Sequence, residues 1–202
     1  MNILSIDTSG KSFSLTLVKD NIKTSFIDTS ESVSSESVLV EIDKLVSKCK
    51  ISPKEITSVI YNNGPGSFTG VRVSSAIVQA IGFSNNCPVY GINSLMLIAY
   101  SLYIKNNTSK VQVIKKAFGD QVFHGLIHLT SESCLSGDSI KISTFSDVEI
   151  DDDYILITDD SNIISNMKDN YYSIDKFVGS ELLIDYYTCL LYTSDAADEE
   201  DS

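Results

Sequence analysis

Between Gly64 and Gly70 the string NNGPGSFTGVRV packs three glycines and a proline into seven positions, then runs into an apolar helical pattern. A glycine-rich turn at a helix start exposes unpaired N–H groups and the positive end of the helix dipole, a setting that favours anions. Gly adopts φ > 0 readily, and Pro65 biases Gly64 away from helix. Ser67 and Thr69 can each cap the turn that follows. The phosphate-binding pattern GxxxxGK[ST] is absent, because Val71 and Arg72 follow Gly70, and GxGxxG is unmatched, because the spacing is GxGxxxG. Two readings stay open: an anion cradle, or a rigid turn that launches a helix. Arg72 is the only arginine among fifteen basic residues. Its planar five-donor fork suits a carboxylate or carbonyl cluster, so a structural or interfacial ion pair is expected there.

Asp7 closes the apolar run NILSID and leads into Thr8 and Ser9. An acid at a strand end beside a hydroxyl pair is where a phosphate or metal site could form; the alternative is a loop-capping aspartate in a retired pocket. His124 and His128 lie four apart in QVFHGLIHL, a strand-like setting that points both to one face alongside Val122 and Leu126. With no third ligand nearby, no metal site is expected. DDDYILITDD, residues 151–160, reads as acidic turns around an apolar strand. No Ser-His-Asp or Cys-His arrangement is legible from spacing, so no catalytic residue and no cofactor are assigned.

The elements that must position these residues follow from periodicity. Residues 2–7 read as a buried strand, and 12–18 alternate Phe13, Leu15 and Leu17 with hydroxyl residues, the period of a half-buried strand. Asp20-Asn21 turns into a third strand, IKTSFI. A helix capped at Ser34 or Ser35 carries Val38, Leu39, Ile42, Leu45 and Val46 to Lys48. A strand at 56–62, a second helix through Val71, Val73, Ile77, Val78 and Ile81, the strand VYGI and a third helix from Asn93 or Ser94 complete a βββαβαβα order. That order predicts an α/β fold, a mixed sheet with helices on its faces. Beyond KNNTSK (105–110), VQVIKKAF, QVFHGLIHL and the run at 151–160 read as strands, and SELLIDYY as a helix start. A small, incomplete second lobe is expected.

The net charge of −12 argues against direct phosphate-backbone binding. No run approaches the length of a membrane span, no export signal is visible, and four scattered cysteines read as reduced thiols, so a cytoplasmic setting without membrane contact is expected.

ILSIDTS, YNNGPGSFTGVRV and VYGINSLMLIA, in this order and spacing over residues 1–105, closely resemble the TsaB (YeaZ) family of tRNA threonylcarbamoyladenosine biosynthesis proteins. The resemblance implies an actin/Hsp70/sugar-kinase-like (ASKHA) first lobe. It also implies a non-catalytic scaffold that pairs with the catalytic TsaD subunit as a heterodimer, works with the TsaE ATPase, and meets ANN-decoding tRNA only through the complex. A homodimer through the same surface is implied for the isolated chain. The motif loop is then Gly64, Pro65, Gly66, Ser67, Phe68, Thr69, Gly70 and Arg72, and Asp7, Thr8 and Ser9 form a degenerate phosphate loop. The partner contact falls on two helices, through Val38, Leu39, Ile42 and Leu45 on one and Val73, Ala76, Ile77 and Ala80 on the other. A valine at Gly66 is expected to disrupt assembly through forbidden backbone geometry. The segment KAFGDQVF keeps little of the family's second-lobe opening, so any role of that lobe is left open.

The division expected is 1–105 for the first lobe, 106–188 for the second, and 189–202 for a non-native acidic tail. CLLYTSDAADE resembles a translated transposon-end sequencing adapter and holds two of the chain's six alanines. The natural protein is therefore expected to depart from this sequence near Thr188.

Overall fold

The structure is a computed structural model that describes residues 1–10, 12–30, 33–130, 140–159, 171–173 and 179–199. Met1–Ser94 and Gly179–Tyr187 make one compact unit; Leu95–Val178 and Thr188–Ser202 make a second.

The first unit is built on β1 (Asn2–Asp7), β2 (Phe13–Lys19), β3 (Ile22–Asp28), α1 (Ser35–Lys48), β4 (Ser58–Asn62), α2 (Phe68–Asn85) and β5 (Val89–Ile92). The strands order as β3-β2-β1-β4-β5, with β1–β2 and β2–β3 antiparallel and β1–β4 and β4–β5 parallel. Asp20 and Asn21 both take positive φ, the backbone a two-residue hairpin demands. Ser34 caps α1 reciprocally with Ser37. The apolar residues of β1, β2 and β4 meet Val38, Ile42, Leu45 and Val46 of α1 and Ile77 and Val78 of α2 in one core. Sheet and helix periods thus converge on a single apolar layer.

The hydroxyl face of β2 does not face water. Ser14 and Thr16 are buried, because the first turn of α4 (Ser180–Glu199) lies on them. The Ser180 amide donates to Ser14 Oγ at 2.8 Å, Ser180 Oγ pairs with Thr16 Oγ1 at 2.8 Å, and Ser5 Oγ donates to Ser180 O at 2.5 Å. These bonds return residues 179–187 to the first unit, where the sequence had placed them in the second lobe. The boundary also falls after Ser94, not after residue 105. α4 continues unbroken past Thr188, through most of the segment expected to be a tail.

The second unit holds most of α3 (Ser94–Asn106), with β6 (Lys110–Lys116), β7 (Gln121–His128), β8 (Lys141–Thr144), β9 (Ile155–Thr158) and β10 (Tyr171–Ser173). Its sheet orders as β10-β9-β6-β7-β8, with β6–β7 and β7–β8 antiparallel and β6–β9 and β9–β10 parallel. Strand for strand this repeats the order and directions of the first sheet. No helix among the described residues is long and apolar enough to cross a membrane.

Candidate functional site

The loop holding Asp7, Thr8 and Ser9 and the glycine loop sit against each other at the ends of β1 and β4. Asp7 is 4% exposed, and its Oδ1 accepts from the Ser9 amide at 2.9 Å and from Ser9 Oγ at 2.8 Å. The Ser9 carbonyl in turn accepts from the Ser67 amide at 2.7 Å. The Gly64 amide donates to Asn62 Oδ1 at 3.0 Å, and the Gly70 amide donates to Ser67 Oγ at 3.2 Å, the N-cap bond of α2. Four amides of the kind a cradle would aim at an anion are therefore already bound within the protein. Of the two readings left open by the sequence, this geometry favours the rigid turn.

Two glycines are required by close approach. A Cβ at Gly66 would stand 2.5 Å from the Ser9 carbonyl oxygen and 2.7 Å from Ser9 Cβ. A Cβ at Gly70 would lie far inside contact distance of the Thr8 carbonyl oxygen, while Thr8 Oγ1 donates to the Gly70 carbonyl at 2.7 Å. The obstacle at Gly66 is thus the neighbouring loop. Its φ lies outside the left-handed region, which corrects the expected cause. Pro65 follows a cis peptide bond.

Asn62, fully buried at the end of β4, ties the arrangement together. Its Nδ2 donates to Ser9 Oγ at 2.8 Å and to Asp7 Oδ2 at 3.4 Å. Its Oδ1 also accepts from Ser94 Oγ at 2.7 Å, and the Ser94 amide donates to the Gly64 carbonyl at 2.8 Å. Sequence reasoning quoted Asn62 without selecting it. Its position, as the last residue of an apolar strand and two residues before the first glycine, was the available signal.

Phe68 and Thr69 open α2 at the surface. Arg72, also exposed, holds its guanidinium 3.6 Å from the centroid of the Phe68 ring. Among the described residues it makes no ion pair, and its cation lies over an aromatic face four residues earlier.

The eight residues expected at a partner surface divide. Val38, Ile42, Leu45 and Ile77 belong to the core and Val73 packs against it half-buried, because these positions face the sheet. Leu39, Ala76 and Ala80 are exposed. These three line a groove of about 460 Å³ between α1 and α2, floored by Ile77 and Ile81. Pro53 and Lys54 of the short 3-10 turn Pro53–Glu55, with Ser84 and Asn85, close one end. Phe68, at the start of α2, is 71% exposed, and Phe83, near its end, is 93% exposed.

The remaining candidates do not assemble. His124 Nε2 lies 2.9 Å from Ser143 Oγ, and burial followed by the nearby Lys141 charge lowers its pKa. The described residues contain no cluster of three or more His, Cys, Asp or Glu that could hold a metal ion. Cys49 and Cys87 are free thiols, whereas Cys189 is disulfide-bonded, unlike the reduced state expected for it.

A family model described as TsaD: tRNA N6-adenosine threonylcarbamoyltransferase matches residues 29–131. The chain is 31% identical over 123 residues to the tRNA threonylcarbamoyladenosine biosynthesis protein TsaB of Buchnera aphidicola subsp. Schizaphis graminum, covering 61% of this chain and 59% of that one. It is 29% identical over 111 residues to TsaB of Escherichia coli K12, covering 55% and 48%. The matches span about half the length of these curated relatives. YeaZ from Pseudomonas aeruginosa superposes with a TM-score of 0.79 at 18% identity, covering 96% of this chain and 93% of that one, which shows that the chain has the same α/β fold. The family model carries the transferase's name, while the curated relatives and the structure that covers the chain carry the names TsaB and YeaZ. By sequence, the chain belongs to the TsaB (YeaZ) family.

Proposed function

We propose that this chain is a non-catalytic scaffold subunit. It docks through α1 and α2 onto a catalytic TsaD-type partner in the formation of N6-threonylcarbamoyladenosine at position 37 of ANN-decoding tRNA. The observation that carries this reading is the open apolar groove at the α1–α2 surface. It lies on the unit whose phosphate-type loop spends its amides on Asp7, Ser9, Asn62 and Ser67. A net charge of −12 fits a chain that meets tRNA only through its partner.

The test is calorimetric titration of the chain with the TsaD-family protein of the same genome, together with threonylcarbamoyl transfer by each alone and by the mixture. Saturable binding, lost in Ala80→Arg, and transfer by the mixture alone are expected. Transfer or magnesium-dependent ATP turnover by the isolated chain would overturn the reading.

A further inference from the structure

We propose that one face of the second sheet, at Lys110, His128, His124 and Lys141, contacts the phosphate backbone of the tRNA. The proposal rests on the reading above, in which the partner recruits the tRNA, as a net charge of −12 requires. It adds a contact on this chain once the strand is there.

The chain holds 27 acidic residues, yet none falls on β6, β7, β8, β9 or β10. The same strands carry four of its lysines and both of its histidines. Register sorts them. Lys110 stands opposite His128, Ile114 opposite His124, and His124 opposite Lys141, so the four basic residues share one face with Leu126 between the two pairs. Lys110, His128 and Lys141 are exposed, and His124 and Leu126 half-buried. The crossover that follows β8 lies on this face as well. Phe145 and Val148 pack on Ile114, Val122 and Leu156, while Gln112 Nε2 donates to the Glu149 carbonyl at 2.7 Å and its Oε1 accepts from the Asp151 amide at 3.0 Å. That segment brings Asp147, Glu149, Asp151, Asp152 and Asp153. Even so, Lys110 and Lys141 make no ion pair among the described residues, and the Lys110 ammonium lies over the Tyr154 ring, 5.7 Å from its centroid.

Like charges directly across a sheet destabilise it, and protonated imidazoles would create that arrangement twice on this face. Burial and then the Lys141 charge lower the pKa of His124, whose Nε2 is fixed 2.9 Å from Ser143 Oγ. The free ring is therefore mostly uncharged at neutral pH, and a phosphate beside it would favour the imidazolium, so that binding takes up a proton. Four residues of β7 separate His124 from His128, about 14 Å at the strand rise, too far for one phosphate to bridge. The ligand must carry negative charges in series, as a nucleic-acid strand does. An acidic protein surface would need an apolar centre to its contact, and between the pairs this face offers Leu126 alone.

The test has two readouts, both with an ANN-decoding tRNA transcript as the probe. In the isolated chain at low salt the two imidazoles are titrated by NMR, with His128→Gln to assign them. Adding the transcript is expected to move both resonances, to raise the pKa of His124, and to bind more tightly as pH falls toward about 6. In the complex with the TsaD-family protein of the same genome, Lys110→Gln combined with Lys141→Gln is expected to weaken tRNA binding by about 3–10-fold. The slope of log affinity against log salt should fall by about 2, with calorimetric affinity for the partner unchanged. Imidazoles that ignore the transcript, or a double variant that binds tRNA as wild type does, would overturn the proposal. So would inorganic phosphate or polyglutamate that moves both resonances as strongly at equal charge, the first by showing a single-ion site and the second an indiscriminate one. Imidazoles that respond to the transcript in a chain that fails to bind the TsaD-family protein would leave this face standing and sink the docking reading.

Discussion

Replacing Gly66 by alanine sets two opposing effects against each other. In the unfolded chain the added methyl restricts the backbone, which stabilises the native state by about 0.4–1 kcal/mol where the site is free of strain. In the folded chain that methyl meets the Ser9 carbonyl oxygen at 2.5 Å, about 0.9 Å short of where ordinary contact begins. Ser9 cannot withdraw cheaply, because its amide and hydroxyl are held by Asp7 and its carbonyl by the Ser67 amide. Overpacking of this kind costs about 1–3 kcal/mol, and losing the Ser67–Ser9 bond adds about 1 kcal/mol. The clash wins, leaving a net destabilisation of about 2 kcal/mol, or about 4–8 °C in Tm for a chain of this size. Gly10→Ala is the control: its nearest atom, Ser12 O, lies at 3.8 Å, so its stability should match or slightly exceed wild type. Denaturant titration of both variants, with partner calorimetry on Gly66→Ala, checks the outcome. Because Ser67 caps α2, displacing it should also weaken docking at the α1–α2 surface. A Gly66→Ala protein as stable as Gly10→Ala would refute the account of two loops locked by close approach.

Asn62→Ala should cost about 3 kcal/mol by denaturant titration, because it strands buried groups of Asp7, Ser9, Gly64 and Ser94 at once. Amide exchange should accelerate at Gly64, a change that a uniform loss of stability would not confine to this loop. The pKa of Tyr187, whose ring lies tilted against that of Tyr90 with centroids 4.8 Å apart, is pushed up to about 12, first by burial and then by its hydrogen bond with Tyr90 and the charge Tyr90 gains. A raised folded-state pKa means that this contribution to stability is fully present below the ordinary value of 10.0 and fades as pH rises through about 12. In Tyr90→Phe the phenolate absorbance of Tyr187 should appear at lower pH, yet still above 10.0, since burial remains.

The first unit was legible because its signals are long and mutually consistent. Phe13, Leu15 and Leu17 alternate over a full strand, and Ser34 with Ser37 caps a helix whose apolar stripe is unbroken. What alternation could not show is what covers the hydroxyl face of β2. That depends on Ser180, far along the chain, and hydroxyl residues read alike whether they meet water or Ser180. The second sheet was undercounted for a different reason: β8 and β10 have four and three residues, too few to establish a period. Its topology nevertheless repeats the first, a likeness carried by strand order and not by residue identity. On α1 and α2, helical periodicity marked Val38, Ile42, Leu45 and Ile77, yet the same periodicity is what sends them into the core. An apolar stripe identifies a face that is buried. It does not say by what.

The same glycine chemistry supports both an anion cradle and a brace, but one loop cannot serve as both. A cradle needs several amides pointing into open space, held there by a backbone whose other contacts are weak. Here the Ser9, Gly64, Ser67 and Gly70 amides each have an acceptor within 3.2 Å, and Gly66 and Gly70 lack side chains so that the opposing loop can fill the space an anion would take. Converting the brace into a cradle would mean breaking several of these bonds together and separating two loops packed at backbone distance. Each buried donor freed would cost about 1–3 kcal/mol until a ligand replaced the lost acceptor. Few single substitutions reach that state, whereas many loosen the start of α2. Selection acting on this loop would therefore register as the position of α2, and so as the shape of the groove beside it.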